Sequence, residues 1–105
     1  MGLAVALWLW ALSQTPLDGY TQAVLHLAGS PTHGEAIFLQ NCAGCHGVQG
    51  YGHVGPSLRG VSERRSRVAL IRQVIEDQTP PMPQFQPNPQ EMADLLSYLE
   101  TLQIP

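Results

Sequence analysis

Cys42-Ala43-Gly44-Cys45-His46 decides how the rest of this 105-residue chain is read. Two cysteines three positions apart place both thiols on one side of a helical turn. The histidine that follows sets an imidazole beside them. Cys-x-x-Cys-His is the pattern of a c-type haem attachment site. There the two thiols add across the vinyl groups of a porphyrin as thioethers, and the imidazole reaches the iron from one face. Ala43 and Gly44 are small enough to let a macrocycle lie close to the backbone. Zinc asks for about four ligands; this cluster offers at most Cys42, Cys45 and His46, and the chain holds no second cysteine pair. A thioredoxin-like redox pair belongs in a βαβ setting, and no strand-like alternation precedes Cys42.

Outward from His46 the chain turns polar and glycine-rich, with Gly47, Gly50, Gly52, Gly55 and Pro56, which predicts a loop continuing to Ser62. Ser66 can cap a helix over Arg67 to Gln78, with Val68, Ile71, Val74 and Ile75 on one face. Thr79-Pro80-Pro81-Met82-Pro83 then forces a stiff, extended segment with Met82 in its middle. Asn88 as cap, Pro89 at the first helical position and Glu91 in the first turn start a last helix. Its apolar stripe is Met92, Leu95, Leu96, Leu99 and Leu102. Upstream of the cysteines, Thr32 and Glu35 have capping-box spacing, and Ala36 to Leu39 supply an apolar stripe. No strand or repeat emerges, so the expected fold is all-α, about three helices with long loops wrapped around one covalently bound haem.

Charge and composition narrow the partners. Only 12% of residues are charged, lysine is absent, and the formal net charge is −3. Haem propionates would add further negative charge, which argues against nucleic acid. Both cysteines sit in the motif, leaving no disulfide framework. Residues 1–32 carry a single formal charge, Asp18, and read as an apolar N-terminal arm with linker; residues 33–105 read as the haem domain. A core of that size is marginal alone, and an apolar haem would complete it. Leu3 to Leu12 is apolar throughout, with Trp8 and Trp10, yet short of the about 20 residues that span a bilayer. It lacks the basic start of a secretory signal. A signal-anchor or its remnant is the favoured reading, with a cleaved signal or a packed arm as alternatives, and membrane association is expected through residues 1–12. Tyr20 to Leu27 reads as a linker or short helix. His26 and His33 read as solvent-exposed rather than as ligands.

From Gly34 to Leu102 the chain resembles the small single-haem class I cytochromes c. Gly34 and Phe38 look like the N-terminal-helix pair that packs on the C-terminal helix, with Leu95 and Tyr98 as partners. Gly55-Pro56-Ser57-Leu58 resembles the family's Gly-Pro-x-Leu loop. The resemblance implies that the Pro56 carbonyl accepts the free N–H of the proximal His46 and that Leu58 packs on the haem face. It implies Met82 as the distal iron ligand opposite His46, with Met92 left to the core. It implies Arg64 near a propionate, with Arg59, Arg65 and Arg67 as neighbours able to substitute. The cofactor expected is one haem c with its iron, held through Cys42 and Cys45. The lysine-ringed docking face of some relatives is missing. The acidic balance and apolar arm look more like small bacterial or cyanobacterial members, including membrane-anchored ones such as cytochrome cM. The implied function is single-electron transport between membrane-associated redox partners on the periplasmic or thylakoid-lumenal side, and not enzyme catalysis. The alternatives are a fixed haem subunit of a larger membrane enzyme complex, or a haem sensor or peroxidase with an open sixth site.

Overall fold

The computed structural model describes residues 2–13, 17–76 and 85–103. Among them run α1 (Gly2–Ser13), α2 (Gly19–His26), α3 (Pro31–Asn41), α4 (Ala43–His46), α5 (Val61–Arg64), α6 (Arg67–Glu76) and α7 (Pro89–Thr101), with no strand among the described residues.

The last helix starts as its sequence dictates. The Asn88 side chain accepts the Glu91 N–H (2.9 Å) while Glu91 accepts the Asn88 N–H (3.1 Å), a closed capping box with Pro89 behind it. Met92, Leu95, Leu96, Leu99 and Leu102 are all buried, as the stripe predicts. α7 packs on α3, whose Gly34, Ile37 and Phe38 are buried in turn. The Phe38 and Tyr98 rings meet with centroids 5.2 Å apart at a tilt of 50°, a favourable aromatic geometry. Gly34 has a steric reason: a Cβ there would run into the Asp94 carbonyl oxygen and lie 2.9 Å from the Tyr98 Cβ.

The start of α3 differs from expectation. Ser30, not Thr32, is the cap; its hydroxyl accepts the His33 N–H at 3.3 Å. Pro31 decides the shift, because its fixed φ and missing N–H suit the first helical position. Asp94 ties this corner to α7. Its buried carboxylate accepts the Ser30 N–H (2.7 Å) and the Gln90 side-chain amide (2.9 Å), and lies 2.5 Å from His33 Nδ1. Burial pushes the Asp94 carboxyl up, but these donors outweigh it and hold it below the ordinary carboxylate value. His33 and His26 are exposed, as expected.

Of the two readings of Tyr20 to Leu27, the short helix is the one observed. Asp18 caps α2 by accepting the Thr21 N–H at 2.7 Å. Thr21 and Val24 are buried, and α2 packs on α7 and α6. Gly29 then passes so close to α7 that a Cβ would collide with the Ala93 carbonyl and the Ser97 hydroxyl. The packed body therefore begins upstream of His33, where the composition changes. The large apolar side chains from Leu3 to Trp10 on α1 remain exposed. No helix among the described residues is long and apolar enough to cross a membrane.

Ser66 caps α6 as expected, accepting the Ala69 N–H at 3.1 Å. Ile71 and Val74 are buried with Leu70, which the predicted stripe omitted, while Val68 and Ile75 are half-buried. Gln78 and the Thr79–Pro83 segment, Met82 included, lie outside the described residues.

Candidate functional site

Cys42 ends one helix and begins the next: its N–H donates to the Phe38 carbonyl (2.8 Å) and its own carbonyl accepts from His46 (3.0 Å). Cys42, Cys45 and His46 thus share one turn, the placement that the cysteine spacing predicts. The glycine-rich loop then folds back over that turn by backbone bonds. Gly52 N–H donates to the His46 carbonyl (2.7 Å), Gly55 N–H to the Cys45 carbonyl (2.6 Å), and Leu58 N–H to the Gly50 carbonyl (2.8 Å). The loop closes on the end of α7 through Gly60 N–H and the Leu102 carbonyl at 2.6 Å.

This wrapping fixes the histidine. His46 Nδ1 donates to the Pro56 carbonyl at 2.7 Å. A carbonyl can only accept, so Nδ1 carries a proton, and Nε2 is the nitrogen left to act as a ligand. The ring is 8% exposed. A Cβ on Gly55 would come within 2.8 Å of His46 Cε1 and 3.0 Å of Nδ1, so the absent side chain is what lets the loop lie against the imidazole.

Cys42, Cys45 and His46 open onto a cavity of about 430 Å³. Its walls are largely apolar, with Val54, Pro56, Leu58, Val61, Leu70, Val74, Phe85, Leu95 and Leu99. Two thiols and one imidazole on the wall of an apolar hollow are the donor set that a covalently held porphyrin requires. In the folded chain burial pushes the Cys42 thiol up to about 11, helped by the neighbouring Cys45. Cys42 and Cys45 would hold the group, and His46 would ligate its iron.

The expected residues separate at the arginines. Among the described residues Arg65 is the cation on the cavity lining. The Arg64 guanidinium instead donates to the Arg59 carbonyl (2.6 Å) and the Ser57 carbonyl (3.4 Å), bracing the loop. Arg59 lies over the Tyr51 ring, 4.4 Å from its centroid. Phe85, Val61, Leu70, Asn41 and Gln73 also line the cavity, and sequence reasoning did not single them out. Leu70 and Val61 carry the ordinary signal of an apolar position on a short helix. Phe85 stands outside any periodic pattern and has none.

Residues 29–99 match the protein family described as cytochrome c oxidase, cbb3-type, subunit III. A cytochrome c-553-like protein of Synechocystis sp. (strain ATCC 27184 / PCC 6803 / Kazusa) is 59% identical over 100 residues, covering 95% of this chain and 91% of the relative. The crystal structure of cytochrome cL from Hyphomicrobium denitrificans matches with a TM-score of 0.62 and 26% identity, over 86% of this chain. The matched part spans 55% of that longer protein.

Proposed function

We propose that this chain, which belongs to the class I c-type cytochromes and is a haem c electron carrier rather than an enzyme, shuttles single electrons with His46 and Met82 as the axial ligands of its iron. The bound group supplies the ferric–ferrous couple; the protein buries it, orients one ligand and limits access. The observation that carries this reading is the 2.7 Å bond from His46 Nδ1 to the Pro56 carbonyl, which prepares Nε2 as a ligand and locks the ring against reorientation. Support for Met82 comes from its place between prolines and from the two described positions nearest its segment on the cavity lining, Val74 and Phe85. With both axial positions filled, no open site is left for a sensor or peroxidase role. Leu58, on the cavity lining, would pack on the haem, and Arg65, which also lines the cavity, would take the propionate role expected of Arg64.

In this reading the haem domain works on the periplasmic or thylakoid-lumenal side, between redox partner proteins at a membrane. The exposed apolar surface of α1, with Trp8 and Trp10, supports lipid association. At about 1.5 Å per residue the 12-residue α1 covers about 18 Å, less than the roughly 30 Å of a bilayer core. The matched family's description as an oxidase subunit supports a second reading, a haem subunit fixed in a larger membrane complex. Size measured after mild detergent extraction separates the two.

The ligand test is Met82→Ala on the haem-loaded protein. A thioether favours ferrous iron, so its loss should lower the potential, by up to a few hundred millivolts on the order of axial-ligand effects. The weak ferric band of sulfur–iron ligation should vanish with it. If Met82→Ala keeps both while Met92→Ala loses them, α7 supplies the ligand and this reading fails.

A further inference from the structure

The described segment between Phe85 and Asn88 reaches the cavity through Phe85, which also packs against the core. Phe85 lines the cavity wall, and its N–H donates to the Val74 carbonyl on α6 at 3.1 Å. Two residues on, Pro87 is buried. As a proline it has no N–H to give, so its carbonyl is its only backbone handle, and a buried carbonyl needs a donor. That donor comes from the far end of the chain: the Tyr20 hydroxyl on α2 donates to it at 2.7 Å, across 67 positions of sequence. Asn88, next along, is held by the capping box of α7. Burial raises the Tyr20 phenol above its ordinary value, with Glu91 and Asp18 adding to the shift, so the O–H persists as a donor through neutral pH.

We propose that α2 is an external brace for one wall of the haem cavity, with Tyr20 as the positioning residue that holds Pro87, and through it Phe85, in place. The helix is suited to this. It packs on both α6 and α7, the helices that carry the Phe85 partner Val74 and the capping box beside Pro87. Its own buried residues, Thr21 and Val24, dock it while Tyr20 reaches outward to the wall. The phenol replaces the water that the Pro87 carbonyl would otherwise need. Among the described residues, the hydrogen bonds that would remain along this stretch without it are those at its ends, to Val74 and in the capping box.

The test uses Tyr20→Phe in the full-length, haem-loaded protein, which keeps the ring and removes only the O–H. Amide exchange at Phe85 should quicken about fivefold, the scale of one lost neutral hydrogen bond. The Leu70 amide, bonded to the Ser66 carbonyl at 3.0 Å, serves as internal reference and should not change. Imidazole, the probe of access to ferric iron, should bind more tightly to the variant by a similar factor. Unchanged Phe85 exchange overturns the proposal. So does equal acceleration at Phe85 and Leu70, which would be a global loss of stability. Faster Phe85 exchange with unaltered imidazole affinity overturns the link to the cavity. The imidazole arm rests on Met82 filling the sixth position, and the two can fail separately. If wild type already binds imidazole as Met82→Ala does, the ligand reading falls while the exchange result still decides the brace.

Discussion

The α3–α7 crossing and the His46 loop both depend on a glycine pressed against another group, yet they are built from different materials. At the crossing Gly34 lies against the Asp94 carbonyl, between side chains that are wholly buried, among them Phe38 and Leu95. Around His46 the loop is folded back by backbone hydrogen bonds and braced by the Arg64 side chain, while the side chains of Val48, Tyr51 and Val54 stand exposed. The crossing is held by apolar burial and so stores stability. The loop stores little, but it sets the orientation of one ring. The two regions divide the work, one keeping the chain folded and the other orienting the His46 ring.

The same substitution at the two glycines should separate these roles. Gly34→Ala forces α3 off the α7 backbone and should cost about 3 kcal/mol, at the upper end of overpacking effects. Denaturant unfolding of the haem-loaded protein measures it, and the folded fraction should keep the wild-type visible spectrum. A changed spectrum at unchanged stability would erase the distinction. Asp94→Ala comes next, at about 2 kcal/mol, because it strands the Ser30 N–H.

The Asp94 corner also predicts a pH dependence. Its carboxyl is held below the ordinary value in the folded state, so its stabilisation is complete above the unfolded value of about 3.9 and disappears as pH falls through the lower folded one. The difference in melting midpoint between wild type and Asp94→Asn should therefore be widest near neutral pH and close below about pH 4. A difference that stays constant down to pH 2 would show that the corner contributes through shape alone.

Gly55→Ala should be milder for stability, about 1 kcal/mol, and more visible in function. A methyl 2.8 Å from His46 Cε1 has to turn the ring or lift Pro56 from Nδ1, so the potential and the ferric spectrum should shift. Trp8→Ser on the exposed face of α1 should be smallest of all, within about 0.5 kcal/mol, while binding to lipid vesicles weakens. A large loss of stability would place α1 in the folded body.

How far the sequence could be read follows the reach of each interaction. Asn88, Pro89 and Glu91 act within one turn, so the start of α7 and its buried stripe were legible. Cys42, Cys45 and His46 also act within a turn, and the structure gathers them as their spacing requires. Ser30 displaced Thr32 as a cap because the proline beside it outweighed the capping-box pattern. Arg64 and Arg65 could not be told apart: neighbours in sequence, they diverge once Arg64 turns back to the Ser57 and Arg59 carbonyls. Tyr20 was invisible as a functional residue, since its partner lies 67 positions away and neither residue carries a pattern that names the other. Phe85 was lost for the same reason.

The bond between His33 and Asp94, 61 positions apart, also has a consequence for how the chain reaches its final form. Tying those ends closes a loop that contains both cysteines and every described residue on the cavity wall before α7. For a flexible loop of that length the closure entropy costs about 4 kcal/mol, and relatively long-range pairings of this kind slow folding. A haem anchored at Cys42, in the cavity that Phe85 and Leu95 also line, would divide the single long closure into shorter ones and so lower the entropic barrier to bringing α3 and α7 together. In the open chain the two cysteines are free of that crossing, so the helix pair would close most cheaply after they had reacted.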